Sequence, residues 1–179
     1  MILKIRKFYY PFIFFLGLIL IFFEIEIFRN TIIDLNILIS LIILSSLLFL
    51  LIDFKNYKET YNYSGLQLYF FSILNFIVGY GFTICSIFMF SNYHFASKLS
   101  KKREFEIIER SSLPGGKNSR DKRKPTFTIN FEGKEKELVF KNEYYETMDN
   151  FGSIEISFQK GYFGFYILKN KKLLPINKW

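Results

Sequence analysis

LQLYFFSILNFIVGYGFTICSIFMFSN, from Leu66 to Asn92, carries no charged residue. A helix rises 1.5 Å per residue, so about 20 residues cross a hydrocarbon core of roughly 30 Å. Backbone N–H and C=O groups in lipid must bond internally, which leaves the helix as the form for a single apolar run. The stretch therefore reads as the last of three transmembrane helices, and everything after it is of a different kind.

Toward the N-terminus lie two further apolar runs. The first, Phe8 to Phe23, follows Lys4, Arg6 and Lys7. A basic start before an apolar middle is shared with signal peptides, but no small-residue cleavage site follows, so the run reads as a retained anchor. Pro11 is placed in its first turn, where a missing N–H costs little. Tyr9 and Tyr10 fall at the expected interface. The second run extends from Ile32 to Ile52. The gap from Phe28 to Thr31 leaves room only for a tight turn, so the first two runs form an antiparallel hairpin. Helices are expected at about 8–28, 32–53 and 66–92 within a transmembrane domain of residues 1–93, with Phe54 to Gly65 as a polar connector.

The third run has the one patterned surface among them. Ser72, Asn75, Gly79, Thr83 and Ser86 recur at spacings of three and four and share a helical face. Gly81 and Cys85 add a small pair beside it. Small residues let helices approach closely, and Asn, Ser and Thr can bond across the contact. The face is expected to pack on the first two helices, with self-association as the alternative. A conducting path would call for an ionisable residue at mid-membrane, and none is read there.

Beyond Asn92 the period changes to two, the mark of half-buried strands. Phe105 and Ile107 alternate with charged residues. Phe127, Ile129 and Phe131 alternate with polar ones, and Leu138 and Phe140 follow the tight turn Glu132-Gly133-Lys134. Asn142 to Asn150 shows no alternation and reads as a short helix or irregular connection. Ile154, Ile156 and Phe158 make a fourth strand. Phe163, Phe165 and Ile167 make a fifth, after a turn at Lys160-Gly161. Gly164 within it suggests a bulge. Residues 94–179 are thus expected to form a soluble basic domain, a small five-stranded antiparallel β-barrel or strongly curled sheet, OB- or SH3-like. These alternating residues are its expected core.

Nearly all of the net charge of +8 falls in this second half. That suits an anionic partner such as lipid headgroups or an acidic protein. The loop between the first two strands supplies a candidate site in Lys117, Arg120, Lys122, Arg123 and Lys124. Its Ser112-Leu113-Pro114-Gly115-Gly116-Lys117 lacks the spacing of a phosphate-binding loop. Nucleic acid is disfavoured, because the aromatic residues fall mainly on the core face.

Cys85 is the single cysteine and His94 the single histidine, so neither an intramolecular disulfide nor a cysteine- or histidine-rich metal site is expected. Glu24 and Glu26, two apart on a helix, face nearly opposite ways and make no catalytic pair. No catalytic set, metal or cofactor is read from the chain.

Basic residues flanking the runs are evenly split between the two sides. The three ahead of the first run favour an N-terminus inside and a β-domain outside the inner or plasma membrane of a bacterium. The layout resembles that of small bacterial membrane proteins with a few helices before an OB-like domain, such as the NfeD group. The likeness is one of layout and carries over no residue. The expectation is a non-enzymatic integral membrane protein whose β-domain binds or positions a partner at the membrane surface. The alternatives are an immunity or self-protection protein acting through its third helix, and a small channel or transporter subunit.

Overall fold

The computed structural model describes residues 2–114 and 122–176, with side chains from residue 5 onward. The chain divides into a helical unit, Met1–Phe28 with Ile33–Phe95, and a β unit, Arg29–Ile32 with Ala96–Trp179.

Three helices are long and apolar enough to cross a membrane. They are α1 (Ile2–Arg29), α2 (Leu35–Thr60) and α3 (Gly65–His94). Each runs past its apolar stretch. Pro11 consequently lies inside α1 rather than in its first turn. Most of the expected connector is helical as well. Asn56 donates to Asp53 Oδ1 at 2.6 Å and Thr60 to the Asn56 carbonyl at 2.7 Å, which secures the last turns of α2.

Helix α3 contains a π-helical segment, Phe76–Gly81, at the level where its two glycines meet the other helices. A Cβ on Gly81 would lie 2.4 Å from Ser46 Oγ and 3.1 Å from the Ile42 carbonyl oxygen of α2. On α1, a Cβ at Gly17 would lie 1.9 Å from the Val78 carbonyl oxygen. These glycines let the helices approach closely, because a larger side chain would strike the neighbouring helix.

The β unit is one antiparallel sheet of five strands. These are β1 (Ser100–Leu113), β2 (Lys124–Phe131), β3 (Lys134–Val139), β4 (Phe151–Lys160) and β5 (Tyr166–Pro175). Their order is β3-β2-β1-β4-β5. The first half of β1 pairs with β4 and the second half with β2, so β1 belongs to both ladders. The register shifts between Ile107 and Glu109, leaving Ile108 as the extra residue of a bulge. Beyond it the alternation reverses phase. Arg110, opposite Phe127, thereby turns partly inward. The core gathers Ile32, Phe105, Ile107, Phe127, Ile129, Phe131, Leu138, Ile154, Ile156, Phe158 and Leu168, with Phe140, Met148, Phe151, Tyr166 and Leu173 packed against it.

Three expectations need correction. The sheet is not a closed barrel: β3 and β5 end its order and do not pair. The fifth strand begins later than its alternation suggests. Gly164 takes φ +92°, Gly164 N–H donates to the Gly161 carbonyl, and Gly161 N–H donates to Phe165. Tyr162 to Phe165 are therefore a turn. Phe163 is 47% exposed, and its expected core place is taken by Leu168 and, in part, Leu173. The α1–α2 connection is also more than a turn. Ile32 N–H donates to the Tyr166 carbonyl at 2.8 Å, Leu168 N–H donates to the Asn30 carbonyl at 2.7 Å, and Thr31 bridges antiparallel to Ile167. Asn142 to Asn150 forms two single 3-10 turns.

Gly17→Ala should destabilise the chain by about 1–3 kcal/mol, the usual cost of overpacking a tight contact, as read from thermal unfolding in detergent. An unchanged midpoint would contradict the packing described. In the β2–β3 turn, Glu132 sits at φ +53°, a region side chains other than Asn and Gly enter at a cost of about 1–2 kcal/mol. Glu132→Asn should therefore raise stability by about 0.5–1 kcal/mol.

Candidate functional site

The gap between β3 and β5 is a cleft of about 580 Å³. The end of β3 and the residues after it supply Val139, Phe140, Lys141 and Tyr144. Phe151 comes from β4, and Lys169, Asn170, Lys171, Lys172 and Leu173 come from β5. Among the described residues, four lysines and no carboxylate line it. Lys141 reaches Glu143 at 3.9 Å, but both side chains are well exposed, and such a pair contributes little.

The sheet explains why lysines gather here. Strand β5 is an edge, and Lys169, Lys171 and Lys172 lie along it opposite the last residues of β3. Lysines on edge strands discourage unwanted strand pairing. Two lysines are half-buried, Lys171 in the cleft and Lys136 outside its lining. Lys136 of β3 is half-buried and donates from Nζ to the Thr31 carbonyl at 2.9 Å. Burial, and then the positive charge of Lys171, bring its pKa down from 10.5 to about 8. Burial lowers the Lys171 pKa as well. Burial and a neighbouring like charge both disfavour the charged form of an ammonium group. The Arg110 guanidinium donates to the carbonyl of Phe151, a cleft residue, while its buried Nε finds no partner in the structure.

No described residue of the basic loop expected as an anion site lines this cleft. Lys117 and Arg120 lie outside the described residues. Lys122, Arg123 and Lys124 are exposed. Arg123 is engaged locally: its Nε donates to Ser112 Oγ at 2.9 Å, and its guanidinium lies 5.9 Å from the Tyr145 ring centre. The cleft escapes a reading of the sequence because its lysines come from two distant segments. The one local signal is Lys169-Asn170-Lys171-Lys172 directly after an apolar pair.

In the helical unit, the small and polar face of α3 meets α1. Asn75 Nδ2 donates to the Tyr10 carbonyl at 3.2 Å, and Gly79 lies against Ile13 and Phe14. Ser86 Oγ donates to Glu24 Oε2 at 2.7 Å, and Cys85 Sγ to Glu24 Oε1 at 2.9 Å. Ser72 is fully buried. Thr83 Oγ1 and Asn75 Oδ1 are buried without a partner in the structure. Glu24 is only 4% exposed, a buried carboxyl that its neighbours in sequence do not announce. The available signal is the spacing of Tyr10, Gly17 and Glu24, seven apart and so on one face of α1. At the opposite end of the helices, Asp53 Oδ2 of α2 accepts from Tyr10 of α1 at 2.8 Å and Tyr80 of α3 at 3.4 Å. Among the described residues no His, Cys, Asp and Glu cluster could hold a metal ion.

The lowered pKa of Lys136 has a signed consequence. Between pH about 8 and 10.5 the unfolded chain binds more protons at this group than the folded chain does. Stability should therefore rise with pH across that window, with the full cost of burying the charge present below it. Urea unfolding of the full chain and of Lys136→Met from pH 7 to 10.5 checks this. The parent should gain on the variant as pH rises, and parallel curves would contradict it.

No protein-family model, curated protein or solved structure matches the chain.

Proposed function

We propose that the chain is a non-enzymatic integral membrane protein whose β unit holds an anionic partner at the membrane surface. The observation that carries the reading is the cleft: among the described residues it is lined by four lysines, one of them the half-buried Lys171, and by no carboxylate. The membrane assignment is supported by α1, α2 and α3, whose outward faces are apolar at Phe12, Phe22, Leu44, Leu51, Leu66 and Phe70. Those side chains would lie against lipid. A place in a bacterial inner or plasma membrane is part of the proposal, and the basic residues ahead of α1 support an N-terminus inside and a β unit outside.

The β unit is proposed to be OB-like, an open form of that barrel. Supporting this are the five antiparallel strands, the meander β3-β2-β1 and the sharing of β1 between two ladders. OB barrels are partly open Greek-key structures, and the opening here would be the cleft. The basic loop around Lys122, Arg123 and Lys124 would add long-range attraction for the same partner.

The full chain in nanodiscs of neutral lipid should bind inorganic polyphosphate, with affinity falling as salt rises. Lys171→Met with Lys172→Met should weaken that binding about tenfold, or about 1.4 kcal/mol. A double variant that binds as tightly as the parent would remove the cleft as the site.

A further inference from the structure

The β5 edge already accepts a strand-like segment. Asn30–Ile32 runs antiparallel beside Tyr166–Leu168, with two backbone hydrogen bonds of 2.8 and 2.7 Å across the pair. Beyond Leu168 the same edge continues as Lys169 to Leu173 and forms one wall of the cleft, with the end of β3 as the other wall. Among the described residues β4 pairs with Asn170 to Leu173 on one side, and no named strand pairs with them on the other. Four residues of strand span about 13 Å, so the free edge from Asn170 to Leu173 has the length of a short β-segment.

Taking the anion-binding reading of the cleft as its basis, we infer that the occupant is an extended acidic segment of a partner protein. It adds to the free edge of β5 as a strand and narrows or closes the gap toward β3. Strand addition supplies main-chain hydrogen bonds for affinity, while side chains on alternate positions supply specificity. Lysines lie at successive positions of β5, so carboxylates on either face of an added strand find one. The wall residues Phe140, Phe151 and Leu173 leave room for an apolar side chain between them. A small free anion or a lipid headgroup would meet the charge of the lysines but leave the edge N–H and C=O groups to water. Single-stranded nucleic acid needs open aromatic faces for stacking. Here Phe140 packs edge-on against Phe127 and Tyr144, and Tyr144 against Phe151.

The test is fluorescence anisotropy with the full chain in neutral nanodiscs. The probe is a labelled peptide of about eight residues alternating glutamate with valine. Two further peptides carry N-methyl groups on alternate backbone nitrogens, one in each phase, which keeps the charge and removes one set of backbone donors. The parent peptide should bind. At least one N-methylated peptide should bind about tenfold more weakly. Lys171→Met should weaken the parent peptide to a similar degree. Lys172→Met, at an exposed position, should weaken it too.

Equal binding of all three peptides, still dependent on the lysines, would overturn strand addition while leaving an anion-binding cleft. Lysine-dependent binding of pyrophosphate, or of single-stranded oligothymidylate, in preference to the parent peptide would overturn the acidic-segment assignment. Lysine-independent binding of every probe, or no binding of any, would overturn both the inference and the reading beneath it.

Discussion

A β-strand has hydrogen-bonding groups on both sides, and a sheet that does not close leaves two strands with one side each to satisfy. In the β unit those strands are β3 and β5. One part of the gap is occupied by the chain itself, where Asn30–Ile32 lies along β5 and the Lys136 ammonium donates to Thr31. The remainder is lined by lysines. Such an edge resists pairing with neutral or basic strands, since they would bury ammonium groups without partners. The same charges favour a strand that carries carboxylates. One physical device would thus protect the edge and select what may occupy it.

The helical unit solves a different problem. Its outer surface is apolar, so hydrophobic burial cannot by itself specify how the helices meet if lipid surrounds them. Specificity comes instead from contacts that tolerate no substitute. Glycines admit backbone at Gly17 and Gly81, and the π segment of α3 presents residues to both other helices. Two carboxyl groups add polar ties. Asp53 joins all three helices, and Glu24 joins α1 to α3. Hydrogen bonds of this kind are individually modest in a membrane, of order 1 kcal/mol. Their value lies in fixing one arrangement among many that are equally apolar.

Much of the fold is legible in the sequence because it rests on periodicity. The uncharged run at Leu66 to Asn92 and its two companions mark the helices, and alternation at Phe127, Ile129 and Phe131 marks a strand. Periodicity fails where the backbone breaks its own phase. The bulge at Ile108 turns Arg110 inward, and Gly164 makes a turn of residues whose alternation suggests strand. Helix ends also exceed the apolar runs, because charged residues with good helix propensity continue α2 through Thr60. The cleft was illegible for another reason. Its lysines are brought together by strand order, and β3 and β5 are neighbours only across a gap that no local pattern records.

The most direct measurement of the account is amide hydrogen exchange on the full chain, with and without a saturating glutamate-rich peptide. Without peptide, the amide of Leu168 should be protected by Asn30, while the amides of Asn170 to Leu173 that point away from β4 should exchange quickly. With peptide, those same amides should become protected and the rest of the sheet should stay as it was. Protection of the β5 edge in the free protein would contradict the open gap. Fast exchange that persists at saturation would contradict its role as the place where a strand is added.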